Sequence, residues 1–422
     1  MLRKVCTNFG FYSTSTRLTL GVNWRKYRVM NNYAAHLARL RSHAVMLLLA
    51  TVLLLAAGSV FAEVIVQQTP DGGFQPRLIV DEQGAIHLLY FKKRLRAPNA
   101  REGNLYYRQY DNESNRFGIP VKVSSEAYNL QTFSIARASM AIDGEGRIHV
   151  VWYRPKSNQY FYTRSNSERN QFEPQRGMVA QFSEGLDAGA DVAALGSRVA
   201  VVWGAGNLSR EYERTMFARF SDDFGESFGE EIGIGNTDLG ACACCSMATD
   251  FAGQDNLQVA YRSAIDGIGR HMQLLSIQFT GNEISGGSYG PVGPLQEWEL
   301  SSCPLSTNDI ALDNNSQQWL VFETKSRIVQ MKIAEDSVAT AVGEPFTSTR
   351  QKNPALAINQ EGQRLIVWGE AISHAKGGRL NMRLFDVSGL PVGEEFSEEI
   401  TIQNYSFPAA AKLPSGDFLV LY

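Results

Sequence analysis

Two sets of side chains in this sequence have the chemistry of a working site. The first is sulfur: Cys242-Ala243-Cys244-Cys245, with Cys303 further on. Once Cys6 is removed with the leader described below, these four are the remaining cysteines, and an even number in an exported chain favours disulfides. Cys303 is expected to pair with one of the three, leaving the other two to pair, for example as a Cys244–Cys245 ring. The alternative is that soft thiolates, with His271, hold copper or zinc. C-x-C-C is not a standard zinc spacing, so the disulfide reading leads, and no metal or other cofactor is assigned. The second set is charged. Arg154, Arg210, Arg262 and Arg270 are the expected ligands for an acidic substrate, because a guanidinium grips a carboxylate with two parallel hydrogen bonds. Asp266, Glu211 and Glu213 are the candidate general acids and bases. Tyr212, between two glutamates, is the candidate nucleophile.

The elements that carry these residues follow from a repeat. After the leader there is no useful helical periodicity, only short apolar strands separated by Gly, Asn and Asp turns. A strand–turn–strand unit recurs from Pro76, Ser139, Asp191, Ser246, Asp309, Pro354 and Pro408. These starts lie 45–63 residues apart, the length of a four-stranded propeller blade. The second strand of each unit ends in an aromatic: Tyr90, Trp152, Trp203, Tyr261, Phe322, Trp368 and Tyr422. A column of large flat side chains fills the gaps between wedge-shaped sheets. The prediction is an all-β propeller of seven blades, with six as the alternative. The last unit stops at Tyr422, so residues 63–68 (EVIVQQ) are expected to complete it and to close the ring. Loops before each first strand and after each second strand then share one face. All the candidate residues fall there.

The turn after the third strand of the third unit reads Ser221-Asp222-Asp223-Phe224-Gly225-Glu226-Ser227-Phe228. It matches S-x-D-x-G-x-x-F, the Asp box, with Ser221, Asp223, Gly225 and Phe228 at the defining places. Worn copies stand at 165–172 and 110–117. With the C-x-C-C run, Tyr261-Arg262 and Cys303-Pro304, the chain resembles bacterial sialidase-like proteins with Asp-box repeats. The resemblance covers most of residues 63–422. It implies a sialidase-like propeller outside the cytoplasm that acts on or binds glycans, with exo-sialidase activity as its enzymatic form. The chain departs from catalytic sialidases in lacking their early Arg-Ile-Pro motif. Phe74-Gln75-Pro76-Arg77 stands in its place. The alternative is therefore a non-catalytic propeller that presents the same face to a glycan or a protein.

A net charge of -3 over 422 residues gives no general attraction for nucleic acid or anionic lipid. No P-loop, dinucleotide fingerprint, nucleophile elbow or His-Glu-x-x-His motif is present. At the other end of the chain, Arg39 and Arg41 precede an apolar run over 44–57, followed by Gly58-Ser59-Val60-Phe61-Ala62. That order of charged, apolar and small residues is a secretory signal peptide with cleavage after Ala62. The expected organisation is a leader over 1–62, a single propeller over 63–422, a secreted or periplasmic location, and no stable membrane span after cleavage. The first 29 residues make the leader unusually long, so Met30 is the expected start.

Overall fold

The computed structural model describes residues 62–422, apart from 96–100, 131–136, 188, 282, 292–297, 335–336, 344–349, 373–375 and 394–398. The leader and Met30 lie outside the described residues. Seven sheets, antiparallel except for one parallel pair in the last, form the blades of a propeller, and the six-blade alternative is thereby excluded. Among the described residues the only helical pieces are short 3-10 turns, and no helix is long and apolar enough to cross a membrane.

The innermost strands are Phe74–Val80, Ser139–Ile142, Ala190–Leu195, Ala248–Phe251, Asn308–Leu312, Gln351–Ile358 and Ala409–Lys412. Each pairs with the next strand of its unit, as the repeat predicts. Successive side chains of a strand point to opposite faces, so each blade buries both faces against its neighbours. The core is therefore divided into seven slabs, one in each gap between blades. One slab joins Val202 and Met216 of blade 3 to Met247, Val259 and Leu275 of blade 4. Another joins Leu419 and Leu421 of blade 7 to Leu88 and Tyr90 of blade 1. The aromatic column lies in these slabs, with Tyr90, Trp203 and Trp368 fully buried.

Blade 7 contains two strands from the end of the chain and a third, Val64–Gln67, from its beginning. The third strand runs parallel to Phe418–Leu421, with Ile65 opposite Leu419. The direction has a simple cause. This segment leads into the inner strand of blade 1 as a fourth strand does elsewhere, and a fourth strand runs parallel to the second. Here it lies directly beside that second strand.

Proline explains two irregularities. In blade 1 the ladder skips from Phe74 to Arg77, and in blade 6 from Lys352 to Ala355. Pro76 and Pro354 have no N–H to give, and the residues before them, Gln75 and Asn353, take positive φ. A bulge of this kind re-aims the side chain that follows it, and in blade 1 that side chain is Arg77.

The Asp box closes the turn between Thr215–Ser221 and Ile232–Gly233. Asp223 accepts from Ser221 Oγ at 2.7 Å and from the Ser227 amide at 2.9 Å. These hydrogen bonds hold its carboxyl down at about 2 against the opposing effect of partial burial. Gly225 has φ +74°, and a Cβ there would lie 2.0 Å from Tyr162 Oη of blade 2. Phe228 meets the Tyr162 ring edge-on at 5.0 Å. The box thus seals a joint between blades 2 and 3. Beneath it, Tyr162 Oη bonds His149 Nδ1 at 2.7 Å, and His149 Nε2 bonds Asp143 at 3.1 Å. Blade 1 repeats the arrangement with Tyr107, His87 and Asp81.

Candidate functional site

Inner strands place their first residues around the axis on the loop side. Asp191 and Asp309 occupy the same place, second in the inner strands of blades 3 and 5. Each reaches the following blade: Asp191 accepts from the Thr249 amide at 2.6 Å, and Asp309 from the Leu356 amide at 3.1 Å. Ser139 of blade 2 donates to the other oxygen of Asp191. Arg77, turned by the Pro76 bulge, crosses from blade 1 to form an ion pair with Asp309 at 2.7 Å. Arg137 Nη2 donates to the carbonyl of Asn308 at 3.0 Å. Six blades thus contribute to one charged cluster.

Its electrostatics are uneven. Burial pushes the Asp250 carboxyl up to about 7, with the Asp191 carboxylate adding to the rise and Arg77 opposing it. Burial likewise raises Asp191. Burial lowers Arg137 to about 10, helped by repulsion from Arg77. Asp250 is surrounded by protein, yet solvent reaches part of it through an axial cavity.

That cavity has a volume of about 410 Å³. Arg77, Asp250 and Asp309 line its inner end, while Asp81, Glu82 and Lys412 line the end nearest the inner turns. On the loop side, Gln75, Thr307, Asn308, Asn353 and Ser406 are buried, so these polar groups cover the cluster there. The volume is that of a small-ligand site, with aliphatic walls between charged groups at both ends.

The residues singled out in the sequence lie at the loop side, away from the axis. Glu211, Arg262, Arg270 and the cysteine run come together between blades 3, 4 and 5. Glu211 bonds Arg270 Nη2 at 2.5 Å and accepts from the Ala243 amide at 2.8 Å. Arg262 is buried and fully engaged. Its Nε donates to Ser306 Oγ at 2.6 Å, its Nη1 to the Arg270 carbonyl at 2.6 Å, and its Nη2 to the Glu323 carbonyl. Its plane lies over Trp298 at 4.7 Å. Glu323 is paired with Lys352 at 2.8 Å, and Lys352 also donates to the carbonyl of Pro304. Tyr212 is on the solvent side of this network, 44% exposed. Arg210 is exposed there too and pairs with Glu213 at 2.7 Å. Asp266 is exposed at a turn with φ +51°. Arg154, in blade 2, pairs with Glu126 instead.

The four cysteines divide unequally. Cys244 and Cys303 form a disulfide, with Cα atoms 6.3 Å apart. Cys242 and Cys245 are unbridged and buried, with their sulfurs 2.9 Å apart. Burial raises the Cys242 thiol, and interaction with Cys245 adds to the rise. At Cys245 the effect of burial is outweighed by the Cys242 bond and the Arg262 charge, so its thiol falls below the ordinary value. His271 accepts from the Trp298 amide at 3.3 Å.

The axial groups were missed by sequence reasoning, although signals existed. Asp191 and Asp309 are the first letters of two repeat units, at a place where the other units carry Ser or Pro. Arg77 follows one of those prolines.

No family model matches the sequence, and no curated protein matches it either. Solved propellers do resemble it in shape. A sialidase from Streptococcus pneumoniae is 9% identical over 74% of this chain and 68% of its own, with a TM-score of 0.45. An α-L-arabinanase from Penicillium chrysogenum is 9% identical over 78% and 98%, with a TM-score of 0.48. A fungal alcohol oxidase in complex with copper is 14% identical over 82% and 70%, with a TM-score of 0.47. Such likeness concerns the propeller and says nothing of activity.

Proposed function

We propose that the protein is a glycan-directed propeller whose working site is the axial cavity, with hydrolysis by an Asp250–Asp309 pair as its chemistry. The observation that carries this is the contrast between two carboxyls at one end of one cavity. Asp250 is pushed up to about 7 and so holds a proton near neutrality, whereas Asp309 is held in an ion pair by Arg77. Glycoside hydrolysis needs such a pair, one group to protonate the departing oxygen and one to act as base or nucleophile. Arg77 favours an acidic sugar at the same end, which suits the sialidase-like sequence features. Export to the periplasm or beyond is part of the same proposal and rests on the leader sequence.

The second reading, glycan binding without turnover, is favoured by one observation. The loop-side arginines 154, 210 and 270 are each paired with a glutamate, and Arg262 is bound to internal oxygens. The two readings separate in an assay of fluorogenic sialosides, arabinosides and neutral glycosides. If hydrolysis occurs, Asp250→Asn should reduce kcat by about 100-fold or more while the fold is kept. Activity of the parent should fall as pH rises through about 7, because the acid is then deprotonated. Turnover that survives Asp250→Asn would remove the assignment. Absence of turnover together with sugar binding that Arg77→Gln abolishes would establish the binding module.

A further inference from the structure

Cys242 and Cys245 do not face empty protein. Both line a small internal cavity of about 10 Å³, together with Met216, Met247 and two arginines. That is roughly the volume of one probe sphere, enough for a single water or ion. Two glycines of the neighbouring blade help to leave the space. A Cβ at Gly189 would come 2.9 Å from the Cys245 carbonyl and 3.1 Å from Met247 Cε, and one at Gly204 would come 3.8 Å from Met216 Sδ. The lining therefore offers two thiols and two thioethers to one atom-sized void. Thiolate and thioether together select cuprous copper among biological cations.

The charges agree. Arg214 and Arg262, 1% and 2% exposed, line the same cavity. Arg214 Nε is buried and has no hydrogen-bond partner among the described residues. Two thiolates around one monovalent cation carry a net charge of minus one, which a neighbouring guanidinium offsets. A divalent zinc would cancel both thiolates and so place one more positive charge beside the two guanidiniums, and thioethers serve it poorly. Cys244 is held by Cys303, so the ligand pair is defined. His271 does not line the cavity.

The geometry points to a buried copper(I) site, with Cys242 and Cys245 as the primary ligands and Met216 and Met247 as weak ones. On loading, both thiols lose their protons to solvent, the sulfurs move apart, and the ion enters the adjoining void bound to both. No electron is transferred. This site is independent of the axial cavity.

The test uses the full chain with Cys6→Ser, which removes the leader thiol, titrated anaerobically with copper(I) against a bathocuproine competitor. One copper(I) per chain should be retained, with an ultraviolet thiolate-to-copper charge-transfer band. Cys242→Ser and Cys245→Ser should lose both the copper and the band. Met247→Leu, a near-isosteric change, should keep the fold and weaken retention by roughly 10-fold. A Cys244→Ser, Cys303→Ser double variant that folds should still bind. Equal retention by the Cys245→Ser chain, preference for zinc over copper(I), or a Cys242–Cys245 disulfide in protein recovered from cells would each overturn the assignment.

Discussion

Asp250 makes the axial site testable without knowing its ligand. Its folded proton affinity is above that of an unfolded aspartate, so the folded state binds the extra proton. The associated stability is fully present below about pH 4 and is lost as pH rises through about 7. Allowing for water in the cavity, the loss is on the order of 1–3 kcal/mol. Asp250→Asn should flatten that segment of the stability–pH curve in urea denaturation, and an unchanged slope would place the proton elsewhere. Gly225 is the opposite kind of residue, required for shape alone. Its φ of +74° and the 2.0 Å approach of Tyr162 leave no room for Cβ. Gly225→Ala should cost roughly 2–4 kcal/mol through strain and overpacking. This change lies far from the axis, so sugar binding by the surviving folded protein should be unchanged.

At the scale of elements, the sequence carried most of the fold because each blade repeats the same local instructions. Alternating apolar strands, a polar turn and a terminal aromatic marked all seven hairpins, and the alternation also fixed which faces are buried. Even the closing strand was legible, since the last unit lacked a partner and residues 63–68 read as an unpaired strand. What the sequence did not reveal was the bulge. Pro76 looked like the ordinary start of a unit, and only the pairing of Phe74 and Arg77 with residues on either side of it shows the chain turning. The closing strand gives a direct prediction. Ile65 pairs with Leu419 and packs against the slab between blades 7 and 1. Ile65→Pro should destabilise the propeller by about 3 kcal/mol or more and expose both blade 7 edges to limited proteolysis. Resistance equal to the parent would mean the ring does not depend on this seam.

For the molecule as a whole, the site was less legible than the fold for a physical reason. Loop charges stand out in a sequence, and Arg154, Arg210, Arg262 and Arg270 were chosen on that basis. Their environments depend on partners 3 to 61 residues away, such as Glu213 for Arg210 and the Glu323 carbonyl for Arg262. The axial groups come from units spread over the chain, with Arg77 and Asp309 separated by 232 positions. Their convergence is created only by ring closure. Packing between the consecutive blades 3 and 4 brings their residues around Cys242 and Cys245, so both candidate sites are products of tertiary structure. The cysteine run drew attention to the sulfur, but nothing local to it indicated Met216 or the adjacent void.

The axial assignment is tested most directly by a crystal structure of the Asp309→Asn protein with a bound acidic sugar. The account predicts sugar density inside the ring, within hydrogen-bond reach of Asp250 and Arg77, entered from the inner-turn side. Density on the loop side beside Tyr212 and Arg210, with the axial cavity holding only water, would contradict it.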